Sequence, residues 1–329
     1  MELILRKTYR GLSIGAWLML IAVIVGVPFL ILGAFLVFVA GLTPFAIAAP
    51  AQQPLLLILL AVAGIFTLLA GVLFIIGLAI YVIVPSLSPE TARIDYASYR
   101  TVVACFLLAI VIASLLQGIY LAGEIVVAVA GGPSPLRGEL TPTMLLAAMV
   151  STEISLLLVL WIRIIRPGVI SWRDMGLTTA HLGQRLLIGI ATGFAIFVGA
   201  GIIEFILSQL GIQQTQISQF EPVKNASLLE FVLLLLAGAV LAPFVEEMFF
   251  RGYIFKGVTV QKGLVQGYLS SALIFAAAHG NVQAALPIFV IGLILAYVFR
   301  HTESVIPTMI GHAINNGIAF IVLYLGVTS

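Results

Sequence analysis

The chain has 329 residues, 62% of them hydrophobic and 9% charged, with a formal net charge of +2 and a mean hydropathy of +1.23. An average soluble domain carries about 25% charged residues, so a soluble globule is excluded, a disordered chain is too, and the small net charge gives no basis for nucleic-acid binding. The single cysteine, Cys105, excludes an internal disulfide and has no Cys or His spaced near it as a ligand set.

A helix crossing the hydrocarbon needs about 20 largely apolar residues. That length predicts nine spans, near 12–42, 54–84, 101–130, 143–165, 184–210, 227–258, 263–281, 284–300 and 304–327, with eight as the lower count. The breaks carry turn chemistry: Thr43-Pro44 with Pro50 and Pro54, Pro85 with Pro89, Gly131-Gly132-Pro133 with Pro135, and Pro167-Gly168. Arg6, Lys7 and Arg10 precede the first span as they would in a signal peptide. Its apolar run far exceeds the roughly 7–15 residues of a signal core, and no small-residue cleavage site follows, so it is expected to stay as a helix.

With the N-terminus inside, every Lys and Arg except Arg137 and Lys224 falls on the cytoplasmic side. The expected architecture is therefore an all-α, polytopic helix bundle integral to the cell membrane, with a cytoplasmic N-terminus and an external C-terminus. Polarity changes near residue 166, and all four histidines lie beyond it. This divides the chain into N-terminal membrane helices of unassigned role (1–166), a polar cytoplasmic connector (167–183) and a second helix bundle (184–329).

Ionisable side chains within spans are costly and by default mark function. Glu124, Glu204 and Glu230 fall near span ends, where contact with the headgroups suffices. Glu153 lies deeper and has no obvious partner in the sequence, which leaves a functional or gating role open. The segment Ala242-Pro243-Phe244-Val245-Glu246-Glu247-Met248-Phe249-Phe250-Arg251 is different, with two adjacent carboxylates at membrane depth. Glu247 and Arg251 are four apart and share a helix face, so they can pair. Glu246 is turned about 100° from Glu247 and must point elsewhere, as an unpaired carboxylate suited to act as a general base.

Phe275 and His279 are four apart on one helix, and His312 and Asn316 are four apart on another. At 1.5 Å per residue, Glu246 lies about 20 Å from Thr259, His279 about 26 Å from Lys262 and His312 about 12 Å from Ser304. These depths coincide only if the Glu246 helix runs on past Arg251 to about residue 258.

Glu246-Glu247-x-x-x-Arg251, then Phe275-x-x-x-His279, then His312-x-x-x-Asn316, on three helices in that order, resembles the CAAX prenyl protease and bacteriocin-processing (CPBP, or Abi) family of intramembrane endopeptidases. The resemblance spans about residues 229–323. It implies a glutamate-type peptidase in which Glu246 and His279 activate water and His312 and Asn316 stabilise the oxyanion, with Glu247 and Arg251 as a supporting pair. The neighbouring Asn315 stays open as an alternative to Asn316. Trp172-Arg173-Asp174-Met175-Gly176-Leu177 looks like the connector that many members carry ahead of this core. The implied substrates are prenylated CAAX-type C-termini or small bacteriocin or signalling peptides, with the lipid bilayer as the other partner and no cofactor.

Two rival readings remain. Glu246, His279 and His312 can form a His₂Glu set for Zn²⁺ in a metalloendopeptidase. From another class, a proton-coupled transporter or a non-catalytic scaffold would also carry intramembrane Glu and His, although the inverted repeats of many transporters are not evident.

Overall fold

The computed structural model describes residues 2–42, 54–93, 95–130, 140–212, 220–282 and 284–326, and among these every regular element is helical. Arg137 and the turn residues at 43–50 and 131–135 lie outside the described residues. Two compact units divide after Ile94. The division expected at residue 166 follows polarity rather than packing.

The first unit is an antiparallel hairpin of α1 (Glu2–Leu42) and α2 (Pro54–Ile83). Small residues let its backbones approach. A Cβ on Gly15 would lie 2.7 Å from the Gly77 carbonyl oxygen, and one on Gly26 would lie 2.8 Å from Ala70 Cβ. Phe29 and Phe66 stack with ring centres 4.4 Å apart. The outward faces, with Ile24, Leu30, Leu68 and Leu69, are apolar and exposed, as suits a lipid solvent. A single helical turn, Pro89–Ala92, capped by Ser88, closes the unit.

The second unit holds α3 (Tyr99–Val129), α4 (Pro142–Ile165, ending in a π turn), α5 (Leu182–Gln209), α6 (Leu228–Lys262), α7 (Leu264–Ala278), α8 (Ala285–Thr302) and α9 (Val305–Tyr324). Their starts follow local chemistry. Ser98, Thr141, Ser227 and Ser304 each accept a backbone N–H of the first turn through the hydroxyl. Glu230 completes a capping box with Ser227, which gives this span-end carboxylate a structural task.

Among the described residues, eight helices are long and apolar enough to cross a membrane. The seventh predicted span is the exception, because α7 has 15 residues and stops short of the length a crossing needs. Gly280, at φ 64°, ends it in the left-handed region, and the Asn281 side chain then accepts the Ala284 N–H ahead of α8. α6 runs unbroken from Leu228 to Lys262, with π turns at Ala237–Leu241 and Met248–Phe255. It therefore passes Arg251 as the depth comparison required.

The polar connector is docked rather than free. Met175 is fully buried, the Gly176 carbonyl accepts the Val305 N–H at 3.1 Å, and Lys256 Nζ donates to the Asp174 carbonyl. Arg185 Nη1 donates to the Thr178 carbonyl at 2.5 Å. These bonds tie residues 174–178 to the adjoining ends of α5, α6 and α9. Two cations counted toward the cytoplasmic side, Arg163 and Arg251, are instead buried in helices.

Candidate active site

α6 carries the two adjacent glutamates. Glu247 is fully buried and Glu246 is 14% exposed, because one helical step turns the first into the bundle and the second toward a cavity. Glu247 Oε1 accepts from Arg251 Nη1 at 2.9 Å and from His312 Nδ1 at 3.1 Å. Arg251 Nη2 donates to the Gly292 carbonyl at 3.2 Å, and its guanidinium lies 4.4 Å from the centre of the Phe275 ring. One guanidinium thus links α6, α7 and α8, and its carboxylate partner reaches α9.

Phe275 also sits edge-on to both motif histidines, with ring centres 4.9 Å from His279 and 5.7 Å from His312. His279 Nδ1 lies 2.8 Å from the Phe275 carbonyl. A carbonyl oxygen only accepts, so Nδ1 carries the hydrogen. Likewise His312 Nδ1 must donate to the Glu247 carboxylate. In each ring this leaves Nε2 as the nitrogen available for chemistry, and His312 Nε2 is 3.9 Å from Glu246 Oε2.

Asn316 is held by a consequence of Pro243. In the π turn each carbonyl accepts from the residue five ahead, as Ala237 does from Ala242. Gly238 would need the residue at 243, and proline has no N–H. The Asn316 Nδ2 group donates to that carbonyl at 2.9 Å instead. Asn315 Nδ2 in turn donates to Asn316 Oδ1 at 3.2 Å. The Asn316 amide is thereby oriented, with one N–H left over.

A cavity of about 650 Å³ is lined by Glu153, Glu246, His279, His312, Asn315 and Asn316, together with apolar groups such as Phe197, Ile288 and Phe320. A mostly apolar concave site with a few convergent polar groups is the usual form of a binding or catalytic pocket. Glu204 of α5, expected only as a span-end residue, lines it as well.

Glu153 of α4 is the residue whose partner the sequence did not reveal. It is 3% exposed, and its carboxyl lies within hydrogen-bonding reach of the Glu246 carboxyl. A lone acid in an apolar span was the only signal available, because a partner 93 positions away on another helix leaves no mark in local spacing. Among the described residues, no three His, Cys, Asp or Glu side chains gather as a metal-holding group. Glu246, His279 and His312 line one cavity.

Residues 228–318 match the family model described as type II CAAX prenyl endopeptidase Rce1-like. Over this stretch the motif helices are similar to that family. The matched stretch begins one residue after the Ser227 cap, ends within α9 beyond Asn316, and leaves α1 to α5 outside. It coincides closely with the part of the sequence, about 229–323, on which the resemblance rested. No curated protein and no solved structure matches the chain.

Proposed function

We propose that this protein is a multi-pass endopeptidase of the cell membrane that hydrolyses peptide bonds with water activated by Glu246 and His279, in the cavity lined by residues of α4 to α9. The observation that carries the reading is the division of labour on α6. Glu247 is consumed by Arg251 and His312, whereas Glu246 faces the cavity and its Oε2 has no hydrogen-bond partner among the described residues.

Hydrolysis needs a base for water, an acid for the leaving amine and donors for the developing oxyanion. Glu246 takes the proton as the water oxygen attacks the carbonyl carbon. His279, its Nδ1–H committed to the Phe275 carbonyl, offers Nε2 to position that water and help carry its proton. The free Asn316 N–H and a protonated His312 Nε2 donate to the oxyanion. Glu246 then returns its proton to the departing nitrogen. The Glu247 carboxylate, bonded to Nδ1, fixes the orientation of the His312 ring for this role.

The Rce1-like match supports a CAAX-type prenylated C-terminus as substrate, and small bacteriocin or signalling peptides share the same chemistry. We read 184–329 as the catalytic bundle, with α4 of the 1–166 stretch adding a wall to its cavity.

Purified protein in lipid vesicles, assayed on a fluorogenic farnesylated CAAX-type peptide, tests this. Glu246→Gln and His279→Ala should abolish cleavage while keeping the wild-type helical spectrum. Asn316→Ala should lower kcat by about 10²–10³, the usual cost of one oxyanion donor. Chelator should leave the wild type active. A folded, fully active Glu246→Gln variant sinks the mechanism, and loss of activity in chelator that Zn²⁺ restores points to the metal reading.

A further inference from the structure

We propose that Glu153 is the proton-holding partner of Glu246, a positioning residue that keeps the Glu246 carboxyl aimed at its water. This rests on the reading of Glu246 as the base.

The two carboxyls meet from different helices, α4 and α6, at the wall of the cavity. A carboxylate only accepts hydrogen bonds, so two carboxyl groups in contact require one hydrogen between them. Two adjacent carboxyls in a weakly polar site retain one proton for the same reason that paired carboxyls in other hydrolases do.

The hydrogen belongs on Glu153. It is the more buried of the two, and burial without compensation falls hardest on a charge. No neighbour on its own helix supplies an alternative donor. The hydroxyls of Ser151, Thr152 and Ser155 are turned back onto the carbonyls of Ala147, Ala148 and Ser151.

The other charged or titratable groups around the pair are few. His312 Nε2 faces Glu246 at 3.9 Å, while His279 and Glu204 line the same cavity. Behind Glu246, Glu247 and Arg251 neutralise each other. Arg163, further along α4, acts on Cys105 and Tyr253.

In the pair, Glu153 O–H donates to one Glu246 oxygen, which leaves the other free for water. The water O–H bond breaks toward that free oxygen, the new C–O bond forms, and the carbonyl electron pair moves to oxygen. When the C–N bond breaks, the nitrogen takes the proton from Glu246. Glu153 keeps its own hydrogen throughout, so the pair ends as it began.

Two measurements on the full-length protein in vesicles test this. Infrared spectra of the wild type at neutral pH should contain a protonated-carboxyl band that vanishes in Glu153→Gln and shifts in Glu246→Gln. On the farnesylated CAAX-type peptide, Glu153→Gln should lower kcat at least about tenfold with KM within about twofold. The same variant should move the basic limb of the kcat profile to higher pH, since the shared proton no longer exists to be lost. Glu153→Asp should recover part of kcat and the wild-type limb.

A wild type without the Glu153 band overturns the proposal, and so does a Glu153→Gln enzyme with unchanged kcat and unchanged limbs. A band that behaves as expected alongside a fully active Glu246→Gln enzyme supports the shared proton and overturns the catalytic reading of Glu246.

Discussion

The histidines of the cavity are set by groups that can only accept. The Phe275 carbonyl and the Glu247 carboxylate each bind an Nδ1, so both rings keep Nε2 for the cavity they line. Asp174 shows similar local control outside the membrane. The Ser171 hydroxyl, at 2.6 Å, and the Ser171 backbone N–H, at 3.0 Å, both donate to its Oδ2 and hold its carboxyl below the usual carboxylate range. A depressed folded-state value means that its contribution is complete above the unfolded Asp value of about 3.9 and is lost as pH falls through the lower folded value. Hydrogen-exchange protection at Met175–Leu177, taken relative to the intrinsic rate at each pH, should therefore fall in acid in the wild type. In Asp174→Asn that protection should be lower already at neutral pH and show no such acid-dependent step. A wild-type connector whose exchange shows no acid-dependent step contradicts this.

Between elements, the site depends on how closely α9 approaches α5. Gly189 and Gly193, four apart, lie against Ile310 and Ile314, where an added Cβ would come within 2.7 Å of each isoleucine Cβ. A Cβ added to Gly311 on the opposing helix would lie 2.9 Å from Thr192 Cγ2. Without a hydrophobic driving force between helices in lipid, such close van der Waals contact is what holds them. Gly193→Val should push α9 outward at about 1–3 kcal/mol and, because α9 carries His312 and Asn316, reduce activity more than stability. Gly199→Val, on the same helix with nothing within 4 Å, should do neither. Thermal midpoints and cleavage rates of the two variants, measured side by side, check the contrast; equal behaviour would remove the packing argument.

For the molecule as a whole, the distribution of Lys and Arg predicts that the connector faces the cytoplasm and the loop before α6 faces outward. Cys105 is buried and is the sole cysteine, so introduced cysteines can be read against a quiet background. Asn225→Cys should react with an impermeant maleimide on intact cells, and Thr179→Cys only after permeabilisation. The reverse pattern would invert the bundle and place the connector outside.

The spans, the ion pair and the three motifs were legible in the sequence because each is a local property. A run of apolar residues must be a helix in lipid, since only a helix satisfies its own backbone there. Residues four apart on that helix must share a face. The length of α6 followed too, from the depth that Glu246 needed in order to meet His279. Tertiary structure alone decided the rest. It shortened α7 at Gly280, buried Arg163, used Glu247 to hold His312, and made Asn316 answer the carbonyl that Pro243 leaves without its N–H. It also gave Glu153 its partner. Each of these joins residues far apart in the chain through contacts of a few ångströms, and spacing along one helix carries no information about which other helix will lie beside it.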